Sequence, residues 1–363
     1  MKKVPQSTFF VMTLVAFFSA LSPLGAETKV WGIISKDTKW TLDDSPYRVI
    51  GDILVKRNAR LSIFPGVKVL CSATSLKDTS IAQYDHLDSF SVAIKVEGCI
   101  ECVGKKDNRI VFAPASGDAA CSWYGIILNK ASDQYTDIAF TDISGAFNGI
   151  TAIDCGPLVR NCVIDRNNVG VNCLSKGDAR VYNCVITENF TTGVKMVSAN
   201  PTFFNDIIVF NKNNGLWCDG ISRVTFQYNC VWGNADGNFL ECDPELGVAT
   251  KGSGKVPVDE NHNVIANPVF AGSEYDSAGV EKDLTLPTDR SRIADTALAR
   301  MLYKSLADSL AAKQRKGRYP RFSLSKYSPC INTGNPSREF KNLDGTRSDM
   351  GIYGGPGHLG KDR

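Results

Sequence analysis

The chain is poor in the groups that nucleophilic and metal-dependent chemistry uses most. Its 363 residues include three histidines, His86, His262 and His358, all outside the regular repeats found below. With so few imidazoles, a Ser/His or Cys/His nucleophilic centre has little to be built from. "CIEC" at Cys99–Cys102 is half of a zinc pattern. Residues three apart on a strand face opposite sides, however, and neither a second pair nor a suitably placed histidine completes four ligands. Without a βαβ context it is not a redox motif either. An excess of one charge is also missing: the formal net charge is +3. Loss of the first 26 residues, with two lysines and no acids, brings it closer still to neutral, so nucleic acid has no electrostatic claim as a partner.

Long apolar runs are missing beyond the N-terminus. Lys2 and Lys3, then "FFVMTLVAFFSALSPL", then Gly25 and Ala26 have the order of a secretory signal peptide, so residues 1–26 are expected to be removed on export. The run is short and broken by Ser19, Ser22 and Pro23, which disfavours a permanent anchor. No cysteine follows the cleavage point to carry lipid, and no later stretch spans a bilayer. The expected location is periplasmic, cell-surface or extracellular. Twelve cysteines in an exported chain permit disulfides.

What is abundant is repetition. Aligned on glycine, the middle of the chain reads "NGITAIDCGPLVRNCVIDRN", "VGVNCLSKGDARVYNCVITEN", "TGVKMVSANPTFFNDIIVFN" and "NGLWCDGISRVTFQYNCVWGN". Gly149, Gly170, Gly193 and Gly215 lie 21, 23 and 22 residues apart. Asn161, Asn183, Asn205 and Asn229 follow the same period, as do Asn167, Asn189, Asn211 and Asn234. Such a period denotes a solenoid. Fixed leucines and helical periodicity are absent, and each line holds short β-prone pieces separated by Gly, Asn, Asp and Ser. Three strands and three bends per line predict an all-β, single-stranded, right-handed parallel β-helix with coils of about 22 residues, stacked about 4.8 Å apart. Alignment columns then become physical ladders. The asparagines suit bends, because they tolerate left-handed angles and their amides can bond from coil to coil.

These residues resemble secreted bacterial right-handed β-helix proteins of the pectate-lyase-like superfamily. "WTLDDSPYRVIGDILVKRNARLSIFPGVKVL" is similar to an opening coil and "AIKVEGCIECVGKKDNRIVFAPA" to the coils after it. "NPVFAG", "YSPCINTGNPS" and "LDGTRSDMGIYGG" are similar to a closing segment. The expected organisation is a signal peptide over 1–26, a β-helix over 27–287, an insertion over 288–321 and a closing segment over 322–363. In the insertion, Ile293, Ala297, Leu298, Met301, Leu302, Leu306 and Leu310 recur at helical spacing and predict a basic amphipathic helix, with nine Lys or Arg against three Asp. A column of Val163, Val185, Ile207 and Val231 would suit such a helix, if it faces outward.

Cys162, Cys184 and Cys230 share a column in this alignment, with Asp206 as its third member. Cys173 and Cys218 share another. Inward stacking of small side chains is the plain role. If a disulfide forms, Cys162–Cys184 is the nearest pair, although parallel Cβ vectors disfavour the bridge.

Function in a solenoid depends on outward residues. Thr151, Asn172, Lys195 and Trp217 form one outward column, with Asp154 and Asp219 nearby. An indole offers a flat face to a sugar, and Lys195 can pair with a uronate carboxylate. The principal expectation is a non-catalytic exported β-helix that binds a polysaccharide or cell-envelope glycan, or serves as a surface scaffold. One alternative is a lyase or hydrolase of uronate-containing polysaccharide. For a lyase, Lys195 or Arg223 would be the base, and Asp154 or Asp219 would help to hold calcium. For a hydrolase, Asp142 and Asp165 on adjacent coils are the better carboxyl pair. Asp142, Arg166 and Glu188 also align as an alternating-charge ladder, which needs no catalysis. The other alternative is an adhesin or protein-binding module. The resemblance does not extend to chemistry: the "NTD", "DD", "GHG" and "RIK" set of polygalacturonases and the "WIDH"-type motif of pectate lyases are missing. No cofactor is expected except possible calcium at Asn342, Asp344 and Asp349 in "NLDGTRSD", where turn hydrogen bonds are the plainer reading.

Overall fold

In the computed structural model the described residues are 27–73, 91–117, 121–131, 133, 135–250, 256–271 and 320–356. The expected signal peptide lies outside them, as does the expected amphipathic helix except for Pro320 and Arg321. The rest is a parallel β-solenoid of eight coils with three sheets. In the repeats, each line of sequence supplies one short strand to each sheet. The second line, for example, gives Val169–Leu174, Arg180–Tyr182 and Val185–Thr187. The first sheet stacks eight strands, from Thr38–Trp40 to Thr225–Gln227. The second runs from Lys68–Cys71 to Cys230–Trp232 and the third from Ala93–Val96 to Gly237–Leu240. They join through Tyr47–Val55, whose first half pairs in the second sheet and whose second half pairs in the third.

The repeat glycines sit where coils come closest. A Cβ on Gly170 would lie 2.5 Å from the Gly193 carbonyl oxygen and 2.8 Å from Ile186 Cγ2, so no larger residue fits there. Just before each of them, the inner asparagines form a ladder. Asn167 Nδ2 donates to Asn189 Oδ1 (3.2 Å), Asn189 to Asn211 (2.8 Å) and Asn211 to Asn234 (2.8 Å). Each amide also reaches a backbone carbonyl of the coil before it, as Asn189 does to Ile164. These side chains are almost wholly buried, and the ladder satisfies them.

The other asparagine column does a different job. Asn161, Asn183 and Asn205 hold positive φ at a bend, but their side chains turn outward. Asn161 Nδ2 donates to the carbonyls of Ile352 and Gly354, and Asn183 Nδ2 to that of Asp349. Asn205 Oδ1 accepts from the Asn335 amide (2.6 Å). The closing segment 320–356 is docked on this column, with Phe340 edge-on to Tyr182 and Phe204.

In the last line the sequence alignment is one residue out of step. The fourth bend residue with positive φ is Tyr228, not Asn229. Asn229 therefore lies over Asp206, and Cys230 pairs with Ile207. The outward column is Val163, Val185, Ile207 and Cys230, while Val231 faces the core. Its cover is the closing segment, through Phe322, Cys330, Met350 and Ile352, together with Phe270.

This shift places Asn229 on a second internal ladder of side-chain donors. Thr141 Oγ1 donates to the Cys102 carbonyl, Cys162 Sγ to Ile138 and Cys184 Sγ to Val159. Asn229 Nδ2 donates to Phe203 and Asn263 Nδ2 to Phe226. Asp206 occupies the rung between Cys184 and Asn229. Its Oδ1 accepts from the Cys184 amide at 2.7 Å, and its fully buried Oδ2 has no acceptor role to fill. Desolvation pushes its pKa well above the ordinary carboxylate range, against the Cys184 amide bond that lowers it.

Cysteine pairing also departs from expectation. Cys162 and Cys184 are free thiols, with the Cys162 amide 3.5 Å from Cys184 Sγ. The disulfide joins Cys218 to Cys242, with Cα atoms 5.0 Å apart. Direct strand pairing ends at Trp217 and Leu240. Glu241 then takes positive φ and turns Cys242 toward its neighbour, escaping the parallel Cβ arrangement within a ladder.

Candidate functional site on the third sheet

Strand register places one outward column on the third sheet. Thr151 pairs with Asn172, Asn172 with Lys195, Lys195 with Trp217 and Trp217 with Leu240. Beside it run Ile153, Leu174 and Val197, a half-buried aliphatic stripe in register on the same face. The column changes along its length. Thr151 and Asn172 are shielded, and Thr151 Oγ1 and Asn172 Oδ1 are buried with no hydrogen-bond partner. Lys195 and Trp217 remain partly open, and Leu240 is exposed. Lys195 Nζ lies 5.2 Å from the centroid of the Trp217 ring, a cation–π contact that fixes both side chains.

At the edge of this sheet the chain bends back toward the first sheet, and the polar candidates lie there. Asp154 is exposed, with positive φ, and sits 4.0 Å from Lys130 Nζ. It lines a hollow of about 630 Å³ with Asp133, Cys155, Gly156, Lys176, Asp178 and Arg180. Of these only Asp154 stood out in the sequence; the others lie on bends, or for Arg180 at the start of a strand, where residue types vary from coil to coil. Two of the acids hold the bends in place: Asp133 accepts from the Gly156 amide and Asp178 from the Asn200 amide.

Asp219 is further along the same edge and is occupied by backbone. Its carboxylate accepts amide hydrogens from Ser198, Ile221 and Ser222. Desolvation pushes its pKa up, but these donors outweigh it and hold the carboxyl well below its usual range. Arg223 donates to the carbonyls of Ile221 and Ser222 in its own turn. Asp219 and Arg223, two of the groups expected for a lyase, are thus engaged with the backbone of one turn.

Asp142 and Asp165 belong to the second sheet. They sit on adjacent coils but two positions out of register, since Asp142 pairs with Val163 and Ser144 with Asp165. Asp142 binds Arg109 at 2.7 Å. Burial raises its pKa, Arg109 lowers it, and the Asp165 charge raises it again. Asp165 is fully buried and paired with Arg166 and with Arg321 of the closing segment. Asp165 thus anchors the cover of the second sheet through Arg321. Asp142 does not join Arg166 and Glu188 in one column as expected, because Gly145 holds the place before Arg166 at the positive-φ bend.

In the closing loop, Asp344 Oδ1 accepts from the amide and hydroxyl of Thr346. Asp349 Oδ1 accepts from the Asn332 amide, and Asn342 Oδ1 from the amides of Asp349 and Gly355. These oxygens close turns. Among the described residues no three His, Cys, Asp or Glu side chains gather as metal ligands. Cys99 and Cys102 lie on one strand, with Cys102 inside the core and Cys99 Sγ directed at the Ala59 carbonyl. His262 stacks on Tyr228. No helix among the described residues is long and apolar enough to cross a membrane.

Comparison with known proteins agrees with this architecture. No curated protein and no solved structure matches the chain. Residues 114–267 match the family model described as a right handed beta helix region, which covers the four repeat lines and the Thr151–Trp217 column. The coils before residue 114 stack in the same register on the same three sheets. The chain is a right-handed parallel β-helix protein, with an architecture consistent with the pectate-lyase-like superfamily.

Proposed function

We propose that the protein is an exported β-helix that binds a polysaccharide or cell-envelope glycan on its third sheet, without transforming it. The observation that carries this reading is the Lys195–Trp217 pair. It presents a partly open indole and an ammonium side by side on an outward column, next to the stripe Ile153, Leu174 and Val197. A sugar ring needs such a flat apolar platform for its C–H face, with polar groups at its rim for its hydroxyls. Asp154, Lys176, Asp178 and Arg180, where the chain passes from this sheet to the first, supply that rim. Lys195 favours a ligand that carries carboxylate groups. The structural role of three acids supports binding over chemistry: Asp142, Asp165 and Asp219 each hold structure together.

The test is retention on immobilised acidic and neutral polysaccharides, with assay of the eluate for unsaturated and reducing ends. Trp217→Ala is expected to lose retention at least tenfold while keeping the β-sheet circular dichroism of the parent, and no ends are released by either protein. Release of ends by the parent would establish the lyase or hydrolase alternative. Retention unchanged by Trp217→Ala would move the site off the third sheet. Affinity for a protein surface that soluble glycans do not compete away would make the protein an adhesin.

A further inference from the structure

Docking of the closing segment brings two thiols together. Cys230 faces outward at the end of the column Val163, Val185 and Ile207, and Cys330 comes down onto it from the closing segment. Both are fully buried free thiols in one apolar cluster, near enough for Cys330 to act on the Cys230 thiol. Each is held from its own side: Cys230 Sγ reaches the Ala266 carbonyl at 3.2 Å, and the Cys330 amide reaches Ser328 Oγ at 3.1 Å. The Cys330 carbonyl accepts from Met350, tying it to the other strand of the closing loop.

This pair differs from Cys162 and Cys184. Those two are stacked one coil above the other in a ladder. Cys230 and Cys330 come from two surfaces that face each other, the sheet and its cover, and so are free of the parallel Cβ arrangement of a ladder. Cys218–Cys242, on the neighbouring sheet of the same two last coils, already places the chain among proteins whose thiols oxidise.

We propose that Cys230 and Cys330 form a second structural disulfide, which clamps the closing segment to the last coil. The oxidant is a small-molecule or protein disulfide. One thiolate attacks it to give a mixed disulfide and releases one thiol. The second thiolate displaces the other half, so the two electrons and both protons leave on the two reduced sulfurs. Burial, with the Cys330 hydrogen bond added to it, pushes the Cys230 thiol well above its ordinary range. The packed thiol is therefore a poor nucleophile, and the bond closes as the segment docks during folding rather than by exchange in the finished protein. The clamp bridges across residues 272–319, and it fixes the segment that covers Val163, Val185 and Ile207 whatever those residues do.

The full chain is refolded from the reduced state in a buffer of glutathione and glutathione disulfide, alkylated without reductant in denaturant, and mapped as peptides. The expected result is four protected cysteines, with the Cys230 peptide linked to the Cys330 peptide beside Cys218–Cys242. Alkylation of both Cys230 and Cys330 with Cys218–Cys242 intact would overturn the proposal. A second readout uses Cys230→Val with Cys330→Ala, since valine suits the outward column. Proteolytic cleavage within 320–356 is expected to be at least tenfold faster in this variant than in the oxidised parent. Equal rates would show that no clamp exists.

Discussion

Replacing Asp206 by asparagine should stabilise the protein, and increasingly so as pH rises. Every other rung of the second internal ladder gives a hydrogen to a carbonyl of the previous coil: Thr141, Cys162, Cys184, Asn229 and Asn263. Asp206 Oδ2 stands where those donors stand, with the Val181 carbonyl in the equivalent place by strand register. Only the protonated acid can donate there. Desolvation raises the folded pKa in the same sense. The folded protein therefore keeps a proton that the unfolded chain releases above about pH 3.9. Asp206 contributes its full stability below that value, and the contribution is lost as pH rises toward the folded pKa. Within this window the loss is about 1.4 kcal/mol per pH unit. Asparagine keeps the accepting Oδ1, supplies a permanent donor and does not titrate. Urea midpoints of parent and Asp206→Asn, measured from pH 4.5 to 6.5, should diverge with rising pH, the variant becoming the more stable. Parallel profiles, or a variant less stable at pH 6.5, would refute the protonated rung.

Two further substitutions test the stacking. Gly170→Ala places a Cβ against the Gly193 carbonyl and Ile186, and should cost about 2–3 kcal/mol in urea unfolding, with the coils on either side losing amide protection together. Asn189→Ala removes an inner rung and strands its partners Asn167, Asn211 and the Ile164 carbonyl in the core. About 3 kcal/mol of stability should go with it, read from the same denaturation. Asn183→Ala, by contrast, should leave the coils intact and speed proteolysis of the closing segment, whose Asp349 carbonyl it holds.

The period of about 22 residues by itself determined the solenoid, its all-β character and the inward or outward sense of most columns. Glycine and asparagine recur only where coil stacking forbids or requires them, so the constraint is written in residue identity. That is why the inner ladder Asn167–Asn234 and the outward column Asn172, Lys195 and Trp217 are legible in the sequence alone. Identity misled where another residue met the same backbone demand. Tyr228 takes the positive φ expected of asparagine, which moved Asn229 and Cys230 by one place and reversed the facing of Cys230 and Val231. The two asparagine columns also look alike in sequence, yet one bonds coil to coil and the other holds the closing segment. Contacts between residues far apart in the chain are invisible there for the same reason: Arg321 with Asp165, and Cys330 with Cys230, lie outside the period and meet only when the closing segment folds back. Local spacing fixes what one coil places above another. What covers an outward face depends on chain that returns from elsewhere, and only the tertiary structure decided that.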